Sequence, residues 1–120
     1  MSIIITNKFG TQHNASGTHE GVDFVVESKV KFPEKLYRGR ILYIGNEPQG
    51  LGKYIAIRCV QRDGKTLLAI FAHFDKVNVK VNDLVFGGHK LGVQGKTGNA
   101  TGAHVHFELY RPSDGEEFLA

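Results

Sequence analysis

Apolar and polar positions alternate with a period of two through most of this chain. The runs "GVDFVV" (21–26), "RILYIG" (40–45), "KYIAIRCV" (53–60), "TLLAIFAHF" (66–74) and "HVHFELY" (104–110) are rich in β-branched and aromatic residues. That composition with that period is the signature of half-buried strands. Turn signals separate the runs: "NEPQGLG" (46–52), "RDG" (62–64), "GG" (87–88) and "TGNATG" (97–102). "QRDGKT" (61–66) reads as a hairpin with Asp63-Gly64 at its tip. No stretch sustains a helical period with caps. The pattern predicts a mainly β fold: an antiparallel sheet of barrel-sandwich type whose short loops form a groove. Without an internal repeat or a linker, residues 1–120 are expected to form one domain, long enough to bury a core.

Composition sharpens this picture at a few points. The chain has 15 glycines and no tryptophan, about twice the usual glycine share of roughly 7%, which fits many tight turns. Fifteen basic residues against 12 acidic ones give a net charge of +3. They are scattered, whereas nucleic-acid binding calls for a clustered stripe; no nucleic-acid partner is expected. The charge is compatible with weak attraction to an anionic surface such as a bacterial wall. The lone Cys59 excludes an intramolecular disulfide. It alternates with Ile55 and Ile57, as a small buried apolar residue would. No apolar run approaches the roughly 20 residues of a membrane span, so no membrane association is expected. The opening "MSIIITNKFG" lacks the basic and long apolar regions of a secretory signal. The chain is therefore exported by another route or belongs to a longer one.

The candidate chemistry lies in the histidines. On a strand, His104 and His106 share one face, while Val105 and Phe107 point to the core. The two imidazoles then face either solvent or a groove. "THEGVD" (18–23) supplies a second pair, His19 and Asp23. An imidazole and a carboxylate suit zinc, which binds both at about 2 Å. Four residues of extended chain would separate them by roughly 13 Å, and Gly21 and Val22 are poor helix formers. A bend near Gly21 that folds Asp23 back toward His19 is the expected solution; a turn residue followed by an ordinary strand Asp is the plain alternative. His73 in "FAHF" shares its face with Phe71 and Ala69, a place where histidines are commonly packed and hydrogen-bonded.

Taken in order, these motifs resemble those of the lysostaphin-type zinc endopeptidases that cut peptidoglycan cross-bridges. "ITNKFG" (5–10) is similar to the family's opening strand and turn, and "HEGVDF" (19–24) to its H-x-G-[IV]-D-[FI] motif. "GLGKYIAIR" (50–58) resembles its G-x-G hairpin, and "FAHF" (71–74) its [YF]-A-H-[LF]. The glycine-punctuated segment 81–109 ends in a match to H-[LIV]-H-[FW]-E. The resemblance implies that His19, Asp23 and His106 bind Zn2+, while His73 and His104 stay unligated and handle protons and charge. Spacing alone does not make that division, because both histidines of H-x-H could reach one metal. Three protein ligands leave a fourth position open for water, as in catalytic zinc sites; a fourth ligand would close it. There is no HExxH helix to supply a glutamate base, so His104 and His73 are expected to assist a metal-activated water. Glu108 continues the face of His104 and His106, either as a partner fixing an imidazole or as a solvated strand residue. His13 and His89 read as surface residues.

Two departures stand out: Ala103 replaces a proline common in the family, and Phe71 replaces a tyrosine. Neither removes a ligand. The implied activity is hydrolysis of peptidoglycan peptides by a bacteriolytic endopeptidase, monomeric as an isolated domain and acting on the wall outside the membrane. A phage-encoded or virion-associated hydrolase fits equally. Two alternatives remain: a non-catalytic relative that binds wall or activates a partner enzyme, and a metal-free carrier domain with Lys96 as attachment point.

Overall fold

The alternating runs become antiparallel strands. The structure, a computed structural model, describes residues 4–7, 18–98, 100 and 102–111. It contains β1 (Ile4–Asn7), β2 (Thr18–Val25), β3 (Lys29–Lys31), a 3-10 turn (Glu34–Leu36), β4 (Arg38–Glu47), β5 (Gly52–Val60), β6 (Thr66–Val77), β7 (Leu84–Phe86), β8 (Lys90–Gln94) and β9 (Val105–Arg111). There is no α-helix among the described residues, and thus none long and apolar enough to cross a membrane. The main path runs β1-β2-β9-β6-β5-β4-β7, with β8 pairing both β6 and β3. The sheet is not closed into a barrel.

Pleating sorts the central strands into two faces. Ile55, Ile57 and Cys59 of β5, Leu67, Ala69 and Phe71 of β6, and Val105, Phe107 and Leu109 of β9 are all buried in one cluster. Phe71 and Phe107 sit opposite each other, ring centroids 4.8 Å apart and tilted by 42°; such pairs add about 0.5–1.5 kcal/mol beyond burial. Val30 of β3 and Leu91 of β8 join the same cluster. Cys59 is a core residue, its thiol pushed up to about 12 by desolvation, which makes it a poor nucleophile. The hairpin tip is as expected: Gly64 has φ +84°, and Lys65 N–H donates to Asp63 Oδ1 at 3.0 Å.

Strict alternation breaks at one place, and that place matters. β6 ladders with β9 through Ala72, opposite His106, and with β8 from Phe74, opposite Gln94. On its other edge the register jumps from Ile55↔Phe71 to Lys53↔Phe74. Ala72 and His73 therefore oppose Tyr54 alone, a β-bulge, the device by which sheets re-aim a side chain. His73 takes φ +67°, a left-handed conformation rare for residues with a Cβ. The face expected for His73, shared with Phe71 and Ala69, is corrected by this bulge: its ring stands on the opposite side, against His104.

The alternation did not mark β3, β7 and β8. They are three to five residues long, too short to show a period. β8 nonetheless approaches β6 closely at Gly92, where an added Cβ would lie 2.2 Å from the Lys76 carbonyl oxygen.

Candidate metal centre

Three strands put the candidate residues side by side. Asp23 of β2 lies directly across from His106 of β9, and His106 across from Ala72 of β6. Directly opposed residues share a face, so the Asp23 carboxylate meets the His106 imidazole. Just past β2, the Gln94 amide fixes the strand end by accepting from Val26 N–H at 2.8 Å and donating to Val26 C=O at 3.0 Å.

His106 has a carboxylate on each nitrogen. Nδ1 donates to Asp23 Oδ1 at 2.5 Å and Nε2 to Glu108 Oε2 at 2.7 Å. A ring donating from both nitrogens is an imidazolium. Burial works against that charge, but the hydrogen bonds and negative charges of Glu108 and Asp23 outweigh it, and the pKa is raised. Glu108 is held in turn by Tyr110, whose hydroxyl donates to Oε1 at 2.7 Å. Desolvation, then Glu108, raises the Tyr110 pKa, so the hydroxyl keeps its proton.

The other two histidines are held differently. His104 forms an isolated bridge with Gly95, just ahead of β9, and its Nδ1 donates to the Gly102 carbonyl at 2.9 Å. His73 is buried, and its Nδ1 donates to the Thr97 carbonyl at 2.6 Å. Their rings stand 4.8 Å apart, with His73 6.2 Å from His106. Desolvation lowers the His73 pKa, although the Thr97 carbonyl opposes it. A backbone carbonyl on Nδ1 leaves Nε2 as a lone-pair acceptor in the neutral ring. His104 Nε2 lies 3.9 Å from Asp23 Oδ1. The three imidazoles are thus sorted by their acceptors: carboxylates on both nitrogens of His106, a carbonyl on one nitrogen of His73 and of His104.

Of the five residues singled out in the sequence, Asp23, His73, His104 and His106 come together here. His19 lies on β2 opposite Tyr110, four ladder positions from the Asp23↔His106 pair; its side chain is outside the described residues. The bend expected at Gly21 is not formed. Gly21 sits within β2, paired with Glu108, because β9 offers β2 an unbroken ladder. Glu108 holds His106, as one of its two readings proposed. Tyr110 was missed, though it continues the period-two series 104, 106, 108. Thr97 was missed because a backbone carbonyl leaves no mark in sequence. His89 is exposed, as expected, and His13 lies outside the described residues.

Among the described residues no three His, Cys, Asp or Glu side chains form a ready metal-binding group. Asp23 and His106 nevertheless present the donors zinc prefers, a carboxylate oxygen and an imidazole nitrogen. With Nε2–H given to Glu108, a bare Nδ1 lone pair facing Asp23 Oδ1 would be repelled. That pair requires a proton or a cation between its atoms, and zinc chemistry fits it.

Residues 17–118 match the sequence profile of peptidase family M23. The chain belongs to this family. It is 36% identical over 93 residues to lysostaphin of Staphylococcus simulans, covering 77% of this chain and 18% of that protein. The peptidoglycan DD-endopeptidase ShyA of Vibrio cholerae is 34% identical over 71 residues, 59% of this chain and 15% of ShyA. The murein hydrolase activator NlpD of Salmonella dublin is 30% identical over 95 residues, 79% of this chain and 24% of NlpD. The M23 chain thus spans at most about a quarter of these relatives. The lysostaphin catalytic domain superposes with a TM-score of 0.68 at 31% identity, covering 92% of this chain and 81% of that domain. The M23 neighbours share the open antiparallel sheet, and the relatives include peptidoglycan endopeptidases.

Proposed function

We propose that this M23 chain is a zinc-dependent endopeptidase that hydrolyses amide bonds in peptidoglycan peptide cross-links. It acts on the wall outside the membrane, as a monomer when isolated, with residues 1–120 as one catalytic domain. The observation that carries this reading is the sorting of the histidines. Glu108 secures His106 by Nε2, so Nδ1 is directed at Asp23 as a ligand; carbonyls secure His73 and His104 by Nδ1, so each offers Nε2 as a base.

His106 and Asp23 would hold zinc; His19, the third ligand that the family resemblance implies, would join them only with β2 bent near Gly21, since the straight ladder sets it four positions from Asp23. Zinc bound there supplies Lewis acidity and lowers the pKa of water to about 7 in favourable sites. His104 Nε2 or His73 Nε2 accepts the proton of the attacking water and returns it to the leaving amine. Imidazole is the side chain suited to taking and returning a proton near neutral pH. The lowered pKa of His73 keeps its ring neutral and ready to accept.

The likeness to NlpD favours a second reading, activation of a partner hydrolase without catalysis. The retention of Asp23, His73, His104 and His106 in one cluster supports the hydrolytic reading over it. The test is digestion of purified walls of two cross-link chemistries by the zinc-loaded chain, with new termini identified by mass spectrometry. The endopeptidase reading expects new amino termini from one chemistry at least. Folded, zinc-loaded protein that releases none from either would overturn it.

A further inference from the structure

Thr97 touches two strands at once, and one of them carries His73. Its carbonyl accepts the proton of His73 Nδ1 at 2.6 Å. Its hydroxyl donates to the Phe74 carbonyl at 2.7 Å and accepts from Lys53 N–H at 3.0 Å. The hydroxyl therefore ties the Thr97 peptide to the residue after His73 on β6 and to the start of β5. The His73 N–H is pinned by the turn that precedes β5, donating to Leu51 C=O at 2.9 Å. The left-handed backbone of His73 is thus held from both its ring and its amide.

Two glycines make room for this clasp. A Cβ on Gly52, at φ +63°, would lie 2.3 Å from the Thr97 carbonyl carbon; one on Gly98, at φ +74°, would lie 2.2 Å from Gly52 N. Side chains at either position would push apart the peptides that the Thr97 hydroxyl binds together. The second glycine of "GLGK" and the glycine of "KTGN" are accounted for by this close approach.

We propose that Thr97 is a positioning residue: its hydroxyl locks its own carbonyl onto His73 Nδ1 and so fixes the tautomer that presents Nε2 as a base. The catalytic part of this inference rests on the endopeptidase reading; the tautomer part does not. Thr97→Val keeps the shape and removes both hydroxyl bonds, while Thr97→Ser keeps them. The experiment records the His73 ring 15N shifts in the zinc-loaded full chain, together with kcat and KM on a cross-link peptide.

The wild type and Thr97→Ser are expected to show His73 as the Nδ1–H tautomer. In Thr97→Val the two ring shifts move toward each other. There kcat falls by about 10–100-fold, the range for outer partners of a catalytic group, with KM changed by less than about twofold, as for an interaction used in the transition state. Wild-type His73 found as the Nε2–H tautomer would overturn the proposal whether or not Thr97→Val folds. So would Thr97→Val with wild-type shifts and kcat, or Thr97→Ser as impaired as Thr97→Val. A wild type that cleaves nothing, yet shows the Thr97-dependent tautomer, would overturn the endopeptidase reading and support the positioning.

Discussion

At the scale of single residues, the centre is governed by which atom occupies each imidazole nitrogen. His104 is held by a carbonyl on Nδ1, with Nε2 3.9 Å from Asp23. Its replacement by Ala should cost about 10²–10⁴-fold in hydrolysis, the range for a lost general base, measured as kcat under saturating zinc. Glu108→Gln weakens the grip on His106 Nε2; zinc affinity, read by competition with a chelator, is expected to fall about 10–100-fold. In the metal-free chain the same variant reports the His106 charge. The His106 pKa is raised in the folded state, against burial, by Glu108 and Asp23. Its contribution to stability is then complete below the unfolded value near 6.5 and is lost as pH rises through the folded pKa. The stability gap between wild type and Glu108→Gln, measured by urea unfolding with chelator present, should be largest just below about pH 6.5 and narrow as the pH rises above it. A gap that widens with pH would contradict an imidazolium at His106.

At the scale of elements, a strand pattern shows faces but not breaks in register. Period-two alternation made the shared face of His104 and His106 readable, together with the core role of Val105 and Phe107. It misplaced His73, because a bulge between Ala72 and Phe74 depends on what β5, β8 and β9 offer as partners. It also expected a bend at Gly21 where the ladder with β9 runs straight. Both errors have one cause: pairing partners distant in sequence decide where a strand may deviate. The close seam of β6 and β8 is testable in the same terms. In Gly92→Ala the new Cβ would meet a backbone oxygen at 2.2 Å, which cannot swing aside. The expected loss of stability is about 1–3 kcal/mol, as for other overpacked sites, read from the urea midpoint.

At the scale of the whole molecule, an open sheet gives one face to a buried cluster and the other, at β2, β9 and β6, to the centre. The strands that build this arrangement were legible because each buries one side. The short β3, β7 and β8 were not, since three to five residues carry too little period. The motif resemblance implied a division between ligands and unligated histidines that spacing left open; in the proposed function that division rests on the acceptors that the ring nitrogens of His73, His104 and His106 meet. Because zinc would tie β2 to β9, its binding should stabilise the entire fold, by about 2.7 kcal/mol at free zinc 100-fold above Kd. Removal by chelator should lower the urea midpoint accordingly.

The measurement that bears most directly on the centre is zinc content by mass spectrometry in purified wild type, His104→Ala and His106→Ala. A site held by His106 with His104 outside the coordination shell gives about one zinc per chain in the wild type and in His104→Ala, as in open catalytic sites, and little in His106→Ala. Zinc retained without His106, or lost without His104, would contradict the account.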